Sequence, residues 1–131
     1  ELGIFLPPGE FEGGFVVSEE CGDVKVFSST HKLVCSVGSK YNHYFGNPAG
    51  VCVDREGNLI VADEQQRKVY LFPPSGSPIC LVSKGLQRPM GIACSPQGLL
   101  FVADNRENCV KKKMKEMVTG INHPEEVLKK G

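Results

Sequence analysis

The residues of this chain able to do chemistry are six cysteines, three histidines and two matched aspartates. The cysteines are Cys21, Cys35, Cys52, Cys80, Cys94 and Cys109. None stands in a C-x-x-C pair, the spacing that a zinc ribbon or a thioredoxin-like dithiol needs. Cys52 and Cys94 fall in apolar runs, where a small thiol packs like alanine. The set therefore reads as reduced structural thiols of a cytosolic protein, with a disulfide framework as the competing reading. His31, His43 and His123 have no acidic partner at ligand spacing and read as solvated loop residues. Asp63 and Asp104 each close a Val-Ala-Asp segment. A carboxylate at a strand end either serves catalysis or accepts backbone N–H bonds and fixes the turn; the second fits a residue just before a polar loop. Losing one such local bond costs about 1 kcal/mol. Nucleophile-elbow, phosphate-loop and His-Glu-x-x-His patterns are missing. These residues point to no catalytic centre, no metal site and no cofactor.

The elements that position them come from a repeat. Residues 48–72 and 89–113 share eight identities over 25 ungapped positions, at an offset of 41. Pro48, Gly50, Gly57, Leu59, Val61, Ala62, Asp63 and Val69 recur as Pro89, Gly91, Gly98, Leu100, Val102, Ala103, Asp104 and Val110. Within one unit, Gly50–Asp54, Leu59–Ala62, Lys68–Phe72 and Ile79–Val82 are β-prone runs. Arg55-Glu56-Gly57-Asn58 and Pro73-Pro74-Ser75-Gly76-Ser77-Pro78 between them are turn chemistry. Four hairpin-linked strands in about 40 residues make one blade of a β-propeller. A weaker copy precedes it at an offset of 45, where Val24-Lys25-Val26-Phe27 matches Val69–Phe72 and Val34-Cys35-Ser36-Val37 matches Ile79–Val82. Gly3-Ile4-Phe5-Leu6 is the candidate inner strand of that copy.

The expected fold is all-β: a partial propeller of about three four-stranded blades spanning residues 1–110, with repeats at about 3–38, 45–83 and 86–119. Residues 111–131 are expected to form a basic tail with a short C-terminal helix, because Pro124 and two glutamates open Pro124–Gly131 and two lysines and a glycine close it. About three blades are half a ring and leave inter-blade faces open. The expectations are self-association, pairing with another propeller, or an arc covered by its own termini. A first residue of Glu and half a ring together read as a fragment.

The pattern Pro-x-Gly-Val/Ile, then Gly-x-Leu-Ile/Phe-Val-Ala-Asp, then a valine shortly after, resembles the NHL repeat over residues 3–110, most strongly over 45–110. WD40 fits less well, since the chain has no Trp. The resemblance implies blades of a ring that usually has six, with propeller surfaces that bind proteins. In resembling proteins such propellers often select substrates for ubiquitin ligases with a RING domain upstream. The 131 residues hold no RING cysteine/histidine framework, so the chain reads as a non-enzyme, linked to ubiquitination by analogy only.

Two functions follow. The first is a protein-interaction scaffold. Its contacts are expected on the end face formed by the loops between blades and between strands two and three of a blade, where Tyr41, His43, Gln66, Arg67, Arg88, Asn105 and Arg106 lie. The second is a single-stranded RNA-binding module, for which Lys111-Lys112-Lys113-Met114-Lys115 is the basis. Lysines on an outer strand also block edge-to-edge pairing. Formal charge is zero overall. Residues 111–131 carry +3 and residues 1–110 carry −3, so the body disfavours RNA. No apolar run approaches the roughly 20 residues that span a bilayer, and a cytoplasmic location without a membrane is expected.

Overall fold

The computed structural model describes residues 14–105, 109–114 and 126–129. They form three antiparallel sheets in chain order. The first holds β1 (Phe15–Ser18), β2 (Val24–Phe27) and β3 (Leu33–Ser36). A five-residue helix, α1 (Val37–Tyr41), leads to the second, with β4 (Pro48–Val53), β5 (Leu59–Asp63), β6 (Lys68–Phe72) and β7 (Ile79–Val82). The third holds β8 (Pro89–Cys94), β9 (Leu99–Asp104), β10 (Cys109–Met114) and β11 (Glu126–Lys129). Each sheet is an up-and-down meander, the topology of a propeller blade. The stretch Gly3–Leu6 lies outside the described residues.

Side-chain alternation explains how the blades stack. On β5, Leu59 and Val61 join Val24, Val26, Val37 and Phe72 in a core between blades one and two. Ile60 and Ala62 join Val69, Leu71, Leu100 and Val102 in a second core between blades two and three. β5 is therefore buried along its whole length. Its near-continuous apolar run is the signature of a strand covered on both faces. The outer blades alternate instead: Val24 and Val26 on β2 and Leu100 and Val102 on β9 are buried, whereas Phe15, Val17 and Leu33 on the far side of blade one are exposed.

The two strong repeats agree in detail. Both inner strands begin with a buried proline, and both slip register just after it, between Pro48 and Gly50 and between Pro89 and Gly91. Gly57 and Gly98 take the same left-handed conformation, φ 81° and 90°, in the turn after the inner strand.

The tail departs from its expected form. Glu126–Lys129 is a strand, paired antiparallel with β10 from Cys109↔Lys129 to Lys112↔Glu126. Over Glu126–Lys129 the helix punctuation is overridden because β10 offers a row of unpaired backbone groups that a short helix would leave open; the rest of Pro124–Gly131 lies outside the described residues. β11 is the fourth strand of blade three, and position 110, the expected end of the blades, lies inside β10. The helix that does form is α1. Val37, matched in sequence with the strand residue Val82, begins it, and Asn42 closes it in the left-handed conformation at φ 52°.

Candidate interaction face

One end of the blades is built by a device used twice. Asp63 ends β5 fully buried, and its carboxylate accepts three backbone N–H bonds, from Gly46 (2.7 Å), Asn47 (3.0 Å) and Gln66 (3.0 Å). Asp104, also fully buried at the end of β9, accepts from Gln87 (2.8 Å) and Arg88 (3.0 Å). Each aspartate thus ties the strand-two end of its blade to the loop arriving from the preceding blade. The next residue repeats the tie through the backbone: Glu64 N–H donates to the Asn47 carbonyl (2.9 Å), and Asn105 N–H to that of Arg88 (3.0 Å). The two loop types expected to share a face are therefore hydrogen-bonded neighbours.

Side chains finish the face. The Asn47 amide donates to Glu64 Oε1 (2.6 Å), and Arg88 Nε donates to Glu64 Oε2 (2.5 Å), linking blades two and three. The Arg88 guanidinium, ahead of the Asn47 amide, holds the Glu64 carboxyl below its ordinary range. The Gln66 amide donates to the Tyr44 carbonyl (2.8 Å), and its Oε1 accepts from the Tyr70 hydroxyl. Arg67 is exposed and left-handed, with φ 57°. Asn105 is exposed, and Arg106 lies outside the described residues.

Tyr41 and His43 are placed differently from the sequence-based expectation. Both are half-buried in an aromatic wedge between blades one and two. The His43 ring meets Tyr70 at 4.4 Å, Phe45 at 4.6 Å and Phe72 at 5.2 Å, all edge-on. Burial pushes its pKa down, against the pull of the Asp63 and Asp23 carboxylates, and its Nε2 is buried without a hydrogen-bond partner. Tyr41 packs on Phe72 and donates to the Pro73 carbonyl, and burial raises its pKa to about 12. The reason is alternation: Tyr41, His43 and Phe45 turn inward, so Asn42 and Tyr44 turn out. Tyr44, 84% exposed, is the aromatic that the face presents. The Tyr-Asn-His-Tyr-Phe string alternates, but five residues alone do not say which set faces inward.

Two grooves open among these loops. One of about 440 Å³ runs between blades one and two, past Asp23, Gly38, Asn42, His43, Tyr44 and Phe45. The other, of about 410 Å³, draws on all three blades through Ser18, Glu20, Asn47, Glu64, Arg88 and Met90. Among the described residues no group of three or more His, Cys, Asp or Glu is placed to hold a metal ion. No helix among them is long and apolar enough to cross a membrane.

The NHL repeat matches residues 45–66, the segment that carries this loop, β4 and β5. Over 107 residues the chain is 58% identical to NHL-repeat-containing protein 4 of Mus musculus, covering 82% of this chain and 78% of that one. It is 56% identical to the Homo sapiens protein of the same name, covering 86% of it. Over 81 residues it is 40% identical to the E3 ubiquitin-protein ligase TRIM32 of Mus musculus, covering 57% of this chain but only 12% of that protein. Among solved structures it is similar to streptogramin B lyase, with a TM-score of 0.58 at 10% identity, over 87% of this chain and 39% of that one. That likeness is one of β-propeller fold.

Proposed function

Since the chain belongs to the NHL-repeat protein family, we propose that it is a non-enzymatic, cytosolic protein-binding scaffold working through the end face just described. The observation that carries this reading is the groove shared by three blades, whose loops are pinned by the fully buried Asp63 and Asp104 while Arg88, Arg67 and Tyr44 stay exposed. A rigid frame presenting exposed Arg and Tyr suits protein recognition, because Tyr offers a large contact area with few rotors to order and the planar Arg fork can pair with a carboxylate or stack on a ring. The relatives named E3 ubiquitin-protein ligase support a role as a substrate-recognition or adaptor element beside a ligase, not as the ligase.

The test is a pull-down with the purified chain. Arg67→Ala with Arg88→Ala should leave circular dichroism unchanged and reduce partner capture several-fold, and Tyr44→Ala should add to the loss. Lys111→Ala with Lys112→Ala should not reduce capture comparably. Retained capture in the arginine variant with loss in the lysine variant would move the site to the basic strand. The RNA reading would take its place if the chain bound single-stranded oligonucleotides with a steep salt dependence.

A second reading concerns assembly. Phe15, Val17 and Leu33 are 38%, 40% and 54% exposed on the far face of blade one, where Phe15 stacks on Phe27 at 5.1 Å. We infer that this face pairs with a second copy or with another propeller. Light scattering at micromolar concentration should give the mass of a dimer or larger species. A monomer across that range would refute it.

A further inference from the structure

The inner strands of blades two and three approach each other unusually closely. A Cβ built on Gly50 would sit 2.6 Å from the Met90 carbonyl oxygen and 3.2 Å from the Ile92 nitrogen. Such distances leave no room for a side chain, so glycine lets β4 and β8 run side by side. Two residues beyond Gly50 the strands bring two thiols together: Cys52 Sγ lies 3.4 Å from Cys94 Sγ. Cys94 Sγ is also 3.5 Å from the Val53 carbonyl oxygen, which steadies it against β4. Sequence spacing hides this pair, because 41 residues separate the two cysteines and no dithiol motif joins them.

We propose that Cys52 and Cys94 form an oxidisable dithiol, a modification site that closes to a disulfide between blades two and three under hydroperoxide. Two features carry this. The sulfurs are in contact and need to move only about 1.4 Å closer to reach the roughly 2.05 Å of an S–S bond. Both side chains are half-buried rather than sealed, as are most residues of β4 and β8, so a small peroxide reaches them. Of the other cysteines with described side chains, Cys21 and Cys80 are exposed, and Cys35, like Cys52 and Cys94, is half-buried against a core, so what sets Cys52 and Cys94 apart is the contact between their sulfurs.

The chemistry balances with peroxide as the oxidant. One thiolate attacks a peroxide oxygen, breaking the O–O bond and leaving a sulfenic acid and one water. The neighbouring thiol then attacks that sulfur, the S–O bond breaks, and a second water leaves. Two thiols lose two electrons and two protons, and the peroxide is reduced to two waters. The nearby second thiol makes the disulfide outpace further oxidation of the first to sulfinic acid. The bond closes a loop holding all of β5, β6 and β7, and so fixes blade two against blade three. A thiol reductant reverses it.

The test uses the full chain. It is treated with a few equivalents of hydrogen peroxide, blocked with N-ethylmaleimide and digested with trypsin without reduction. Cleavage at Arg55 and Lys84 separates the two cysteines. The expected result is a linked pair of peptides, Tyr41–Arg55 with Gly85–Arg106, holding most of the Cys52, and its disappearance on dithiothreitol. The melting temperature should rise by about 5–10 °C on oxidation and return on reduction. Cys52→Ala and Cys94→Ala should each abolish the shift, while Cys80→Ala should not. Oxidation of Cys52 chiefly to sulfinic acid, its linkage to another cysteine or another chain, or its survival as thiol while Cys21 and Cys80 oxidise would each overturn the proposal. Because the readout is a peptide mass, it stands whether or not the interaction face binds a partner.

Discussion

Replacing Asp63 by alanine tests the idea that buried carboxylates, rather than the loops themselves, hold the interaction face. The side chain is fully buried and accepts three backbone N–H bonds from two different loops. A bond to a charged acceptor contributes about 1.5–3 kcal/mol net, and a donor left unsatisfied in a buried place costs about 1–3 kcal/mol. Gly46, Asn47 and Gln66 are only half-buried, so water entering the vacated space recovers part of this. The loss is then about 1 kcal/mol for each of the three bonds, or about 3 kcal/mol. In urea, with a slope of about 2 kcal/mol/M, the midpoint should fall by roughly 1.5 M. Asp63→Asn keeps the shape and one acceptor oxygen but turns an NH₂ toward a donor, so it should fall between wild type and alanine. Arg88→Ala removes an exposed ion pair and should stay within about 0.5 kcal/mol. A loss below about 1 kcal/mol for Asp63→Ala would show that the loops hold their shape without the carboxylate. Unchanged stability with lost partner capture would move Asp63 from the frame to the contact surface.

Other outcomes follow from the same geometry. Gly50→Ala should cost about 2 kcal/mol by urea unfolding, because its Cβ meets the Met90 carbonyl oxygen at 2.6 Å, which overpacks a backbone-to-backbone contact. Gly91→Ala at the equivalent position should stay within about 1 kcal/mol, since its Cβ would rest 3.5 Å from that of Ala103, ordinary contact. For His43, burial lowers the folded-state pKa below 6.5, so as pH falls past 6.5 the unfolded chain takes up the proton first. Stability should therefore fall from pH 7 toward the lowered pKa. His43→Phe should remove that part of the slope, and an unaltered slope in the variant would show that His43 is not its source.

Much of this was legible because a propeller repeats its contacts. Gly57 and Gly98, and Asp63 and Asp104, recur because both blades need the same turn and the same tie between loops, whereas of the matched pair Gly50 and Gly91 only Gly50 faces a close backbone neighbour. The continuous run Leu59-Ile60-Val61-Ala62 carried the two-sided burial of the middle blade. The illegible parts depend on partners distant in the chain. Glu126–Lys129 has helical punctuation, yet its state is decided by the edge of β10, whose Lys111 stands opposite Val127. Val37 looks like the end of a strand, and only the packing of α1 on the first core makes it helical. Tyr41 and His43 lie in a string too short for its alternation to declare which side faces inward. Cys52 and Cys94 meet only because two blades stack.

The two joints between blades are held by different chemistry, and this separates their responses. The joint between blades one and two is wedged by Tyr41, His43, Phe45 and Phe72, with the neutral histidine at its centre. The joint between blades two and three is aliphatic, with Leu71, Leu81, Leu86 and Leu100 outside and two touching thiols at its inner strands. Acid therefore acts on the first joint and peroxide on the second. The three-blade groove of Glu20, Glu64 and Arg88 bridges both, so either change reaches the surface proposed to bind a partner. The two cores share the middle blade, with Ile60 and Ala62 in one and Leu59 and Val61 in the other, so coupling of the joints through β5 is open to test. His43→Phe in an oxidised chain then separates the two: if the joints couple through β5, the pH effect of His43 should shrink once Cys52 and Cys94 are bridged. If the joints are independent, the two effects on melting temperature should simply add.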